Sequence, residues 1–241
     1  MNNFNNKTIG EIVAENTSAA KIFESYNIDF CCNGNKKFDA VINEKKLDPQ
    51  KIIDELSVLQ KDKNNHSMDF KSWPLDLLAD YVEKKHHRYV EEKIQEIKPY
   101  LEKITQVHGS NHPELSQINE QFNQSAGELA MHMKKEELIL FPYIRKMAAA
   151  NQKNEKVNLP QFGTVENPIK AMMSEHDTEG ERFKKISELS NNYTTPDDGC
   201  NTYRLTYAML KEFQQDLHIH IHLENNILFP ASLELEKQMK A

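Results

Sequence analysis

The sequence predicts an all-α protein: an antiparallel four-helix bundle preceded by a small N-terminal helical domain. Only 7 glycines and 9 prolines interrupt 241 residues, so long stretches can continue without a break. Apolar residues recur at steps of three, four and seven over much of the chain, which is the pattern of amphipathic helices. No segment alternates with period two over a useful length, so we expect no sheet.

The first 60 residues predict four short helices. The stretches TIGEIVAEN, SAAKIFESYNI, FDAVINEKK and DPQKIIDELSVLQ are each long enough for two or three turns. Thr8 and Glu11 have the spacing of a capping box, and Asp48 before Pro49 fits an N-cap followed by the first helical residue. Residues 1–60 are therefore predicted to form a small domain, which carries two adjacent cysteines.

A polar segment separates this domain from the rest of the chain. Residues 61–72, KDKNNHSMDFKS, are rich in charged and amide side chains and lack apolar periodicity. We interpret them as a linker on which the small domain could move, and this places the bundle at residues 73–241.

Four long helices are predicted in the bundle. An apolar stripe from Leu75 to Ile104 indicates the first helix, and the sequence HGSNHP ends it. The other three are predicted at residues 114–147, 165–189 and 200–236. The short to moderate loops between them favour an up-and-down arrangement.

The composition excludes several classes of function. The net charge is −7, the pI is near 5.8 and lysines are interspersed with acids, which argues against a nucleic-acid partner. No apolar run approaches the roughly 18 residues of a membrane span, and no secretory signal is visible. Three cysteines do not make a disulfide framework. We expect a cytoplasmic globular protein that binds neither nucleic acid nor a membrane.

One motif occurs twice. HMKKEELILFP begins at His132 and HIHLENNILFP begins at His220, 88 residues later, and both contain H-x-x-x-E-x-x-x-L-F-P. A histidine and a glutamate four residues apart lie on one face of a helix, where they form either a surface pair or part of a metal site. One such pair is more often a surface feature, but its repetition favours the metal site.

Histidines also recur at nearly equal intervals, one in each predicted helix. Successive histidines at positions 87, 132, 176 and 220 are 45, 44 and 44 residues apart, so an antiparallel bundle would bring them to one level. With the two motif glutamates they give six donors, too many for one tetrahedral zinc. Two ions bridged by the glutamates accommodate all six, and this donor set favours non-heme iron, with manganese next. The predicted ligands are His87, His132, Glu136, His176, His220 and Glu224.

Alternatives stay open at several of these histidines. On a helical wheel His86 lies nearer the centre of the apolar stripe than His87 does. His176, with Met172 and Met173 nearby, could be an ordinary buried histidine. The remaining histidines are interpreted as caps, loop residues or solvated positions: His66, His108, His112, His218 and His222.

Together the motifs resemble the repair-of-iron-centres family of di-iron proteins, part of the wider hemerythrin-like group. The resemblance covers nearly the whole chain and depends on YNIDFCCNG, on the EHD at His176 and on the two H-x-x-x-E motifs. It implies a di-iron centre in a four-helix bundle, with four histidines and two bridging glutamates at the six positions named above. An ungapped match from DFKSWPL, and from VHGSNHP backwards, implies His87 as the first-helix ligand, with His86 as the fallback.

Two neighbouring groups fit less well. Oxygen-carrying hemerythrins have a fifth histidine on the third helix, where this chain has Gly180, and H-x-x-x-x-D on the last helix, where it has Asn225. Ferritin-like carboxylate proteins need Glu-x-x-His on two helices, and only Glu83 and His86 offer that spacing here.

The resemblance implies a stress-response protein that restores iron–sulfur clusters damaged by nitric oxide or oxidants, with iron donated from its own centre as one route. Its partners would be proteins with damaged clusters and a small gaseous or oxidant ligand at the centre. A di-iron oxidoreductase acting on nitric oxide, nitrite or a peroxide is the alternative, and a gas or redox sensor is a third. Enzyme activity and oligomeric state, a dimer included, stay open.

Four further residues are candidates for function. Cys31 and Cys32 are interpreted as redox or iron-handling thiols near a helix N-terminus, where a thiolate is favoured. The alternative is two small buried residues. Glu128 and Glu175 lie close in sequence to predicted ligands, which makes them candidate proton relays or else solvated acids beside the site.

Overall fold

The computed structural model of the chain describes residues 4–61, 68–158 and 160–240. Within these ranges no strand is present, and extended backbone pairs only in an isolated antiparallel bridge between Thr8 and Lys37. The predicted all-α class is therefore confirmed. None of the helices in these ranges combines the length and the apolar character that a membrane span requires.

All four short N-terminal helices are present. The hydroxyl of Thr8 accepts a hydrogen bond from the N–H of Glu11, and the Glu11 carboxylate accepts one from the N–H of Thr8, so the capping box is complete. Asp48 accepts a hydrogen bond from the N–H of Gln50 at 2.9 Å, as expected of an N-cap. The helices are α1 (Ile9–Glu15), α2 (Ala19–Ser25), α3 (Phe38–Lys45) and α4 (Pro49–Lys61).

Four long helices follow, and three of them combine α-helical and π-helical turns. The first bundle helix consists of α5 (Leu75–Tyr81), a π segment (Val82–His87) and α6 (Arg88–His108). The second consists of α7 (Glu114–Lys135), a π segment (Glu136–Leu140) and α8 (Phe141–Lys153). The third is α9 (Glu166–Leu189). The fourth consists of α10 (Asn201–Leu223), a π segment (Glu224–Leu228) and α11 (Phe229–Lys240).

The second and fourth bundle helices end later than predicted. The second continues beyond residue 147 to Lys153, because Ala148 and Ala150 are good helix formers and are buried against the bundle. It ends at Asn154, which adopts the left-handed conformation with φ 54°, as asparagine can at a helix C-terminus. The fourth continues to Lys240, about one turn beyond the predicted end.

The apolar core forms two clusters with a polar layer between them. In the first cluster, Phe213 packs against Phe122 and Phe183, with ring centroids 5.4 Å and 5.5 Å apart. The second cluster contains Phe141 and Phe229 from the two L-F-P sequences. On each bundle helix the buried residues change from one cluster to the other close to a predicted metal ligand. The candidate ligands therefore lie at one level in the middle of the bundle.

The N-terminal domain packs directly against the fourth bundle helix. Asn226 donates hydrogen bonds from Nδ2 to the backbone oxygens of Phe30 at 3.3 Å and Cys31 at 3.0 Å. The buried ring of Phe30 makes edge contacts with the imidazoles of His218 and His222. The adjacent cysteines thus lie against the bundle without any movement of the domain.

Part of the predicted linker belongs to the bundle core. Residues 62–67, which include His66, lie outside the described residues. Phe70 is 3% exposed, and its ring centroid lies 4.9 Å from that of Trp73 and 5.2 Å from that of Tyr81. The division of the chain at residues 61–72 stays a prediction. The polar linker that was predicted there did not anticipate the burial of Phe70.

We expect Gly34→Ala to destabilise the chain, because a Cβ at this position would lie 2.5 Å from Asn226 Oδ1 and 2.5 Å from the Phe30 carbonyl oxygen. The expected loss in the free energy of unfolding is about 1–3 kcal/mol. Gly127→Ala is the matched control: apart from the backbone of its own helix and its chain neighbours, no atom of the described residues lies within 4 Å of its Cβ position, and alanine favours a helix by about 1 kcal/mol. Urea unfolding measures both changes. A Gly34→Ala variant as stable as the control would contradict this account of the interface.

Candidate metal centre

The repeated L-F-P sequences explain the π turns of the second and fourth bundle helices. Pro142 and Pro230 have no N–H to donate, and in a regular α-helix their rings would clash with the carbonyl four residues earlier. A π segment ends two residues before each proline. The hydrogen bonds of a π segment span five residues instead of four. Each segment begins at a motif glutamate, Glu136 or Glu224, and both carboxylates are completely buried.

Two groups of donor atoms meet in the polar layer. In the first group, His87 Nε2 lies 3.3 Å from Glu136 Oε2, and His220 Nε2 lies 3.2 Å from Glu224 Oε1. His87 Nε2 is also 4.0 Å from Glu224 Oε1. The four donor atoms lie within 4.8 Å of one another, which is close enough for one ion to reach them all.

The second group uses the same two carboxylates. His132 Nε2 lies 3.3 Å from Glu136 Oε2, and His176 Nε2 lies 3.2 Å from Glu224 Oε2. Glu224 therefore presents Oε1 to one group and Oε2 to the other, while Glu136 Oε2 contacts a histidine of each group. This is the arrangement expected of carboxylates that bridge two ions.

Three of the four imidazoles are held at their other ring nitrogen. A hydrogen bond at Nδ1 fixes the tautomer and directs the Nε2 lone pair toward the carboxylates. The pairs are His87 with Glu137 at 3.0 Å, His132 with Glu175 at 2.9 Å, and His176 with Asn225 Oδ1 at 2.8 Å. The Nδ1 atom of His220 has no hydrogen-bond partner among the described residues.

The donor groups contain buried polar atoms without hydrogen-bond partners. Both oxygens of Glu136, Oε2 of Glu224 and Nε2 of His87 have none within the described part of the chain. Such atoms are costly in a dry interior. Cations among them would satisfy the lone pairs and offset two carboxylate charges, so these residues fit a metal centre.

The imidazoles and carboxylates of the layer shift one another's pKa values. Burial lowers the pKa of His132, but the charges of Glu136 and Glu224 outweigh this effect and raise it to about 10. Burial also lowers the pKa of His220, so His132 is the better site for a proton. The imidazoles in turn hold the pKa of Glu224 well below its usual range despite its burial. A bound cation would replace the proton.

His86, the fallback ligand, lies outside both donor groups. Its Nδ1 is 3.0 Å from Asp216 Oδ2, and its ring stacks on that of His220 with centroids 5.6 Å apart. The helical wheel ranked His86 above His87 because it assumed 100° per residue, whereas both residues belong to the π segment Val82–His87. The structure brings His87, and not His86, to the glutamates.

The interpretation of His222 as a solvated residue is wrong. It is completely buried where the N-terminal domain covers the fourth bundle helix. Its Nδ1 accepts a hydrogen bond from Asn226 Nδ2 at 3.2 Å, and burial lowers its pKa to about 4, so the imidazole is neutral. The helical pattern of the bundle could not indicate this burial, because the covering residues come from another domain.

A cavity of about 270 Å³ lies beside the second donor group, with His132 and His176 among its lining residues. Glu175, also in its wall, contacts both His132 and Lys135. Burial raises the pKa of Glu175, but these two cationic neighbours lower it overall. Glu128 lines the cavity too, but its side chain is 58% exposed and pairs with Arg182 at 2.6 Å.

Sequence reasoning missed a buried polar network next to this cavity. Arg182 Nε donates to Glu179 Oε1 at 3.1 Å, and Glu179 Oε2 accepts from Ser125 Oγ at 2.6 Å. Burial raises the pKa of Glu179. The sequence does contain an indication of this network. Glu179 and Arg182 are three residues apart on α9, and Glu179 follows His176 by three residues, so it lies on the same face of the helix.

Cys32, the second of the adjacent cysteines, contacts the third bundle helix. Cys32 Sγ lies 3.4 Å from the backbone oxygen of His176, and a Cβ on Gly180 would lie 3.1 Å from the same sulfur. The two thiols fall in a turn before α3, and their predicted position near a helix N-terminus stays a prediction. The hydrogen bond to Cys32, together with burial, raises the pKa of Cys31 well above its usual value, the opposite of the expected shift.

A helical bundle with a buried layer of histidines and glutamates defines a hemerythrin-like cation-binding protein. Residues 79–232 match the hemerythrin HHE cation-binding domain family. Residues 5–60 match a second family, ScdA_N, described as a domain of unknown function (DUF542). The fold class and the cation-binding character predicted from the sequence agree with these matches.

Comparison with individual proteins identifies a more specific family within the hemerythrin-like class. The iron-sulfur cluster repair protein ScdA of Staphylococcus haemolyticus is 30% identical over 226 residues, which are 93% of this chain and 97% of the relative. The iron-sulfur cluster repair proteins YtfE of Yersinia pseudotuberculosis and Yersinia pestis are each 32% identical over 233 residues, 97% of this chain and 99% of the relative. The chain belongs to the family of these repair proteins, and the resemblance inferred from its motifs is confirmed.

We expect a divalent cation to stabilise the folded chain. Adding ferrous iron without oxygen to chelator-treated protein, at about 100 times the dissociation constant, should add about 2.7 kcal/mol to the free energy of unfolding. The double variant Glu136→Ala with Glu224→Ala should lose most of this gain. Glu181→Ala is the control, since that side chain is 77% exposed and pairs only with Lys184 among the contacts described. Thermal unfolding with and without the ion checks this, and an equal shift in both variants would overturn it.

Proposed function

We propose that this chain repairs iron–sulfur clusters damaged by nitrosative or oxidative stress, and that its bundle holds two non-heme iron ions. The observation that carries the proposal is that both buried carboxylates contact both donor groups, which supports a bridged pair of ions. The names of its relatives supply the repair reaction. The proposed ligands are His87, His132, Glu136, His176, His220 and Glu224.

The donor set supports iron over other metals. Each ion would have two imidazoles and a share of two carboxylates, a mixture that suits iron and, less well, manganese. An octahedral ion with these donors keeps open positions for a small ligand. When bound, two iron ions would supply one-electron chemistry and a store of exchangeable iron.

The protein residues hold and orient this centre. The two apolar clusters keep water from the polar layer, which strengthens the attraction between carboxylates and cations. The partners at Nδ1 keep three imidazoles in position. Glu175, in direct contact with His132, is the better supported of the two candidate proton relays, because Glu128 pairs instead with Arg182.

The proposal also covers the adjacent cysteines, the partner proteins and the cellular compartment. We assign Cys31 and Cys32 a redox or iron-handling role, supported by the contact of Cys32 with a ligand residue, His176. The partners would be proteins with damaged iron–sulfur clusters. Three free cysteines support action in a reducing compartment, the cytoplasm.

A second candidate function is a di-iron oxidoreductase acting on nitric oxide, nitrite or a peroxide. The observation that favours it is the cavity beside His132 and His176, which has room for a small molecule and two carboxylates in its wall. A gas or redox sensor would use the same cavity but bind the ligand without turnover.

Iron transfer tests the leading proposal. Iron-loaded protein, mixed without oxygen with an apo-ferredoxin, sulfide and a reductant, should restore the absorbance of the recipient's cluster. The variant Glu136→Ala with Glu224→Ala should transfer less than about a tenth as much iron, because the loss of both bridging ligands prevents loading. The control Glu181→Ala should behave as the wild type.

Assays on the same preparation distinguish the iron donor from the oxidoreductase and from the sensor. If the loaded wild type transfers no iron to the recipient, the donor proposal fails. Repeated conversion of nitric oxide to nitrous oxide by the reduced protein would support the oxidoreductase. Binding of nitric oxide without turnover or iron transfer would support the sensor.

Two substitutions at Glu175 distinguish a proton relay from an orienting contact. Glutamine can still accept the hydrogen bond from His132 but cannot carry a proton at neutral pH, whereas alanine does neither. If Glu175 only orients His132, Glu175→Ala should weaken metal retention roughly 10- to 100-fold and Glu175→Gln should change it little. A relay predicts that Glu175→Gln keeps its iron but loses turnover. Metal competition measures how tightly the ion is retained, and nitric oxide reduction measures turnover. The two assays together distinguish an orienting contact from a proton relay.

A further inference from the structure

A third group of potential metal donors lies in the N-terminal domain, outside the bundle layer. It consists of Asp29, Cys31 and Cys32, and its ligand atoms lie within 4.8 Å of one another. The two sulfurs are 3.8 Å apart, and Cys31 Sγ is 3.3 Å from Asp29 Oδ1. Both thiols are free.

These distances approach those around a tetrahedral ion. Two sulfurs bound at about 2.3 Å in tetrahedral geometry lie about 3.8 Å apart, which is the separation in this structure. A sulfur and a carboxylate oxygen bound at about 2.1 Å would lie about 3.6 Å apart. The Asp29–Cys31 distance needs to lengthen by only a few tenths of an ångström.

The carboxylate is held in place before any ion binds. Asp29 Oδ1 accepts hydrogen bonds from the N–H groups of Cys31 at 2.9 Å and Cys32 at 3.0 Å. Oδ2 accepts from the backbone and side-chain nitrogens of Asn33 at 3.2 Å and 2.7 Å. The remaining contact of Oδ1 is the S–H of Cys31, so an ion that replaces this proton finds its donors already arranged.

We propose that Asp29, Cys31 and Cys32 bind one thiophilic divalent cation, ferrous iron in the cell, as a third ion in addition to those of the bundle. The ion replaces the two thiol protons, which leave to solvent, and forms two thiolate bonds and one carboxylate bond. Asp29 is exposed and Cys32 is half-buried, so the fourth position opens to solvent. Three protein donors with one open position suit an ion in transit, since permanent structural sites use four.

The position of the cluster supports a role in transit to or from the bundle. Cys32 Sγ contacts the backbone oxygen of His176, whose imidazole belongs to the second donor group. Gly180 makes this contact possible, because a Cβ there would lie 3.1 Å from the sulfur. The cluster thus lies next to the donor group that faces the cavity. This inference goes beyond the proposed repair function, which stands without a third ion.

Cobalt(II) is the probe, because thiolate ligands give it an intense charge-transfer absorption that imidazole and carboxylate ligands lack. Protein loaded with two equivalents of iron per chain, the amount that the bundle alone would hold, is titrated with cobalt(II) without oxygen, and iron content is measured before and after. We expect one equivalent to bind with this absorption, and Cys32, the more exposed of the two thiols, to become unreactive toward a thiol reagent. Cys200→Ser, which removes the exposed third thiol, is the matched control and should bind as the wild type does.

Two variants make the test decisive. Cys31→Ser with Cys32→Ser, a near-isosteric change, should abolish the absorption while the bundle keeps its iron. Asp29→Asn should weaken cobalt binding roughly 10- to 100-fold, because it removes the negative ligand and keeps the shape. No thiolate absorption in the wild type, or absorption that survives in the double variant, would overturn the proposal. Iron transfer measured on the same preparations shows separately whether the repair function holds.

Discussion

The structure depends on the burial of two carboxylates among four imidazoles at the centre of a bundle. Glu136 and Glu224 are completely buried, and isolated charges in such a place would be too costly to keep. Other features of the bundle lower the free-energy cost of burying these charges. Apolar clusters lie on both sides of the layer, and hydrogen bonds at Nδ1 hold three imidazoles against the carboxylates. Protons on His132 and His87, whose pKa values the carboxylates raise, or bound cations supply the balancing charge.

Sequence duplication and proline chemistry together place the carboxylates. Each repeat ends in a proline that cannot complete an α-helical turn, and each π segment that accommodates it begins at the motif glutamate. The third bundle helix has its proline, Pro168, in its first turn and contains no π segment, and its histidine is held by Asn225 from the fourth. The asparagine that separates this sequence from the oxygen carriers therefore has a structural role: it orients His176 within the donor layer.

The parts of the fold that follow from regular periodicity could be predicted, and the parts that depend on interrupted helices or contacts between domains could not. Equal spacing of histidines predicted which four would meet, because one helix and one loop return the chain to the same level. The helical wheel, by contrast, ranked His86 above His87, since a regular 100° step cannot anticipate a π segment. Sequence reasoning also misjudged His222, which is buried by Phe30 of the other domain. The pKa of Cys31 depends on burial and on the neighbouring thiol, and neither could be inferred from two adjacent cysteines.

The two donor groups share their carboxylates but differ in their surroundings. His87 stacks on Phe141, and His220 stacks on the buried His86, so apolar and aromatic groups enclose the first donor group. The second group borders the cavity and has Glu175 at its edge. A small molecule in the cavity would therefore lie beside the second group. The side chains beside the two groups differ accordingly: Lys135 and Glu175 form an ion pair in the wall of the cavity, whereas Asp216 pairs with His86 beside the first group. The donor layer is thus enclosed on the side of His87 and His220 and bordered by a cavity on the side of His132 and His176.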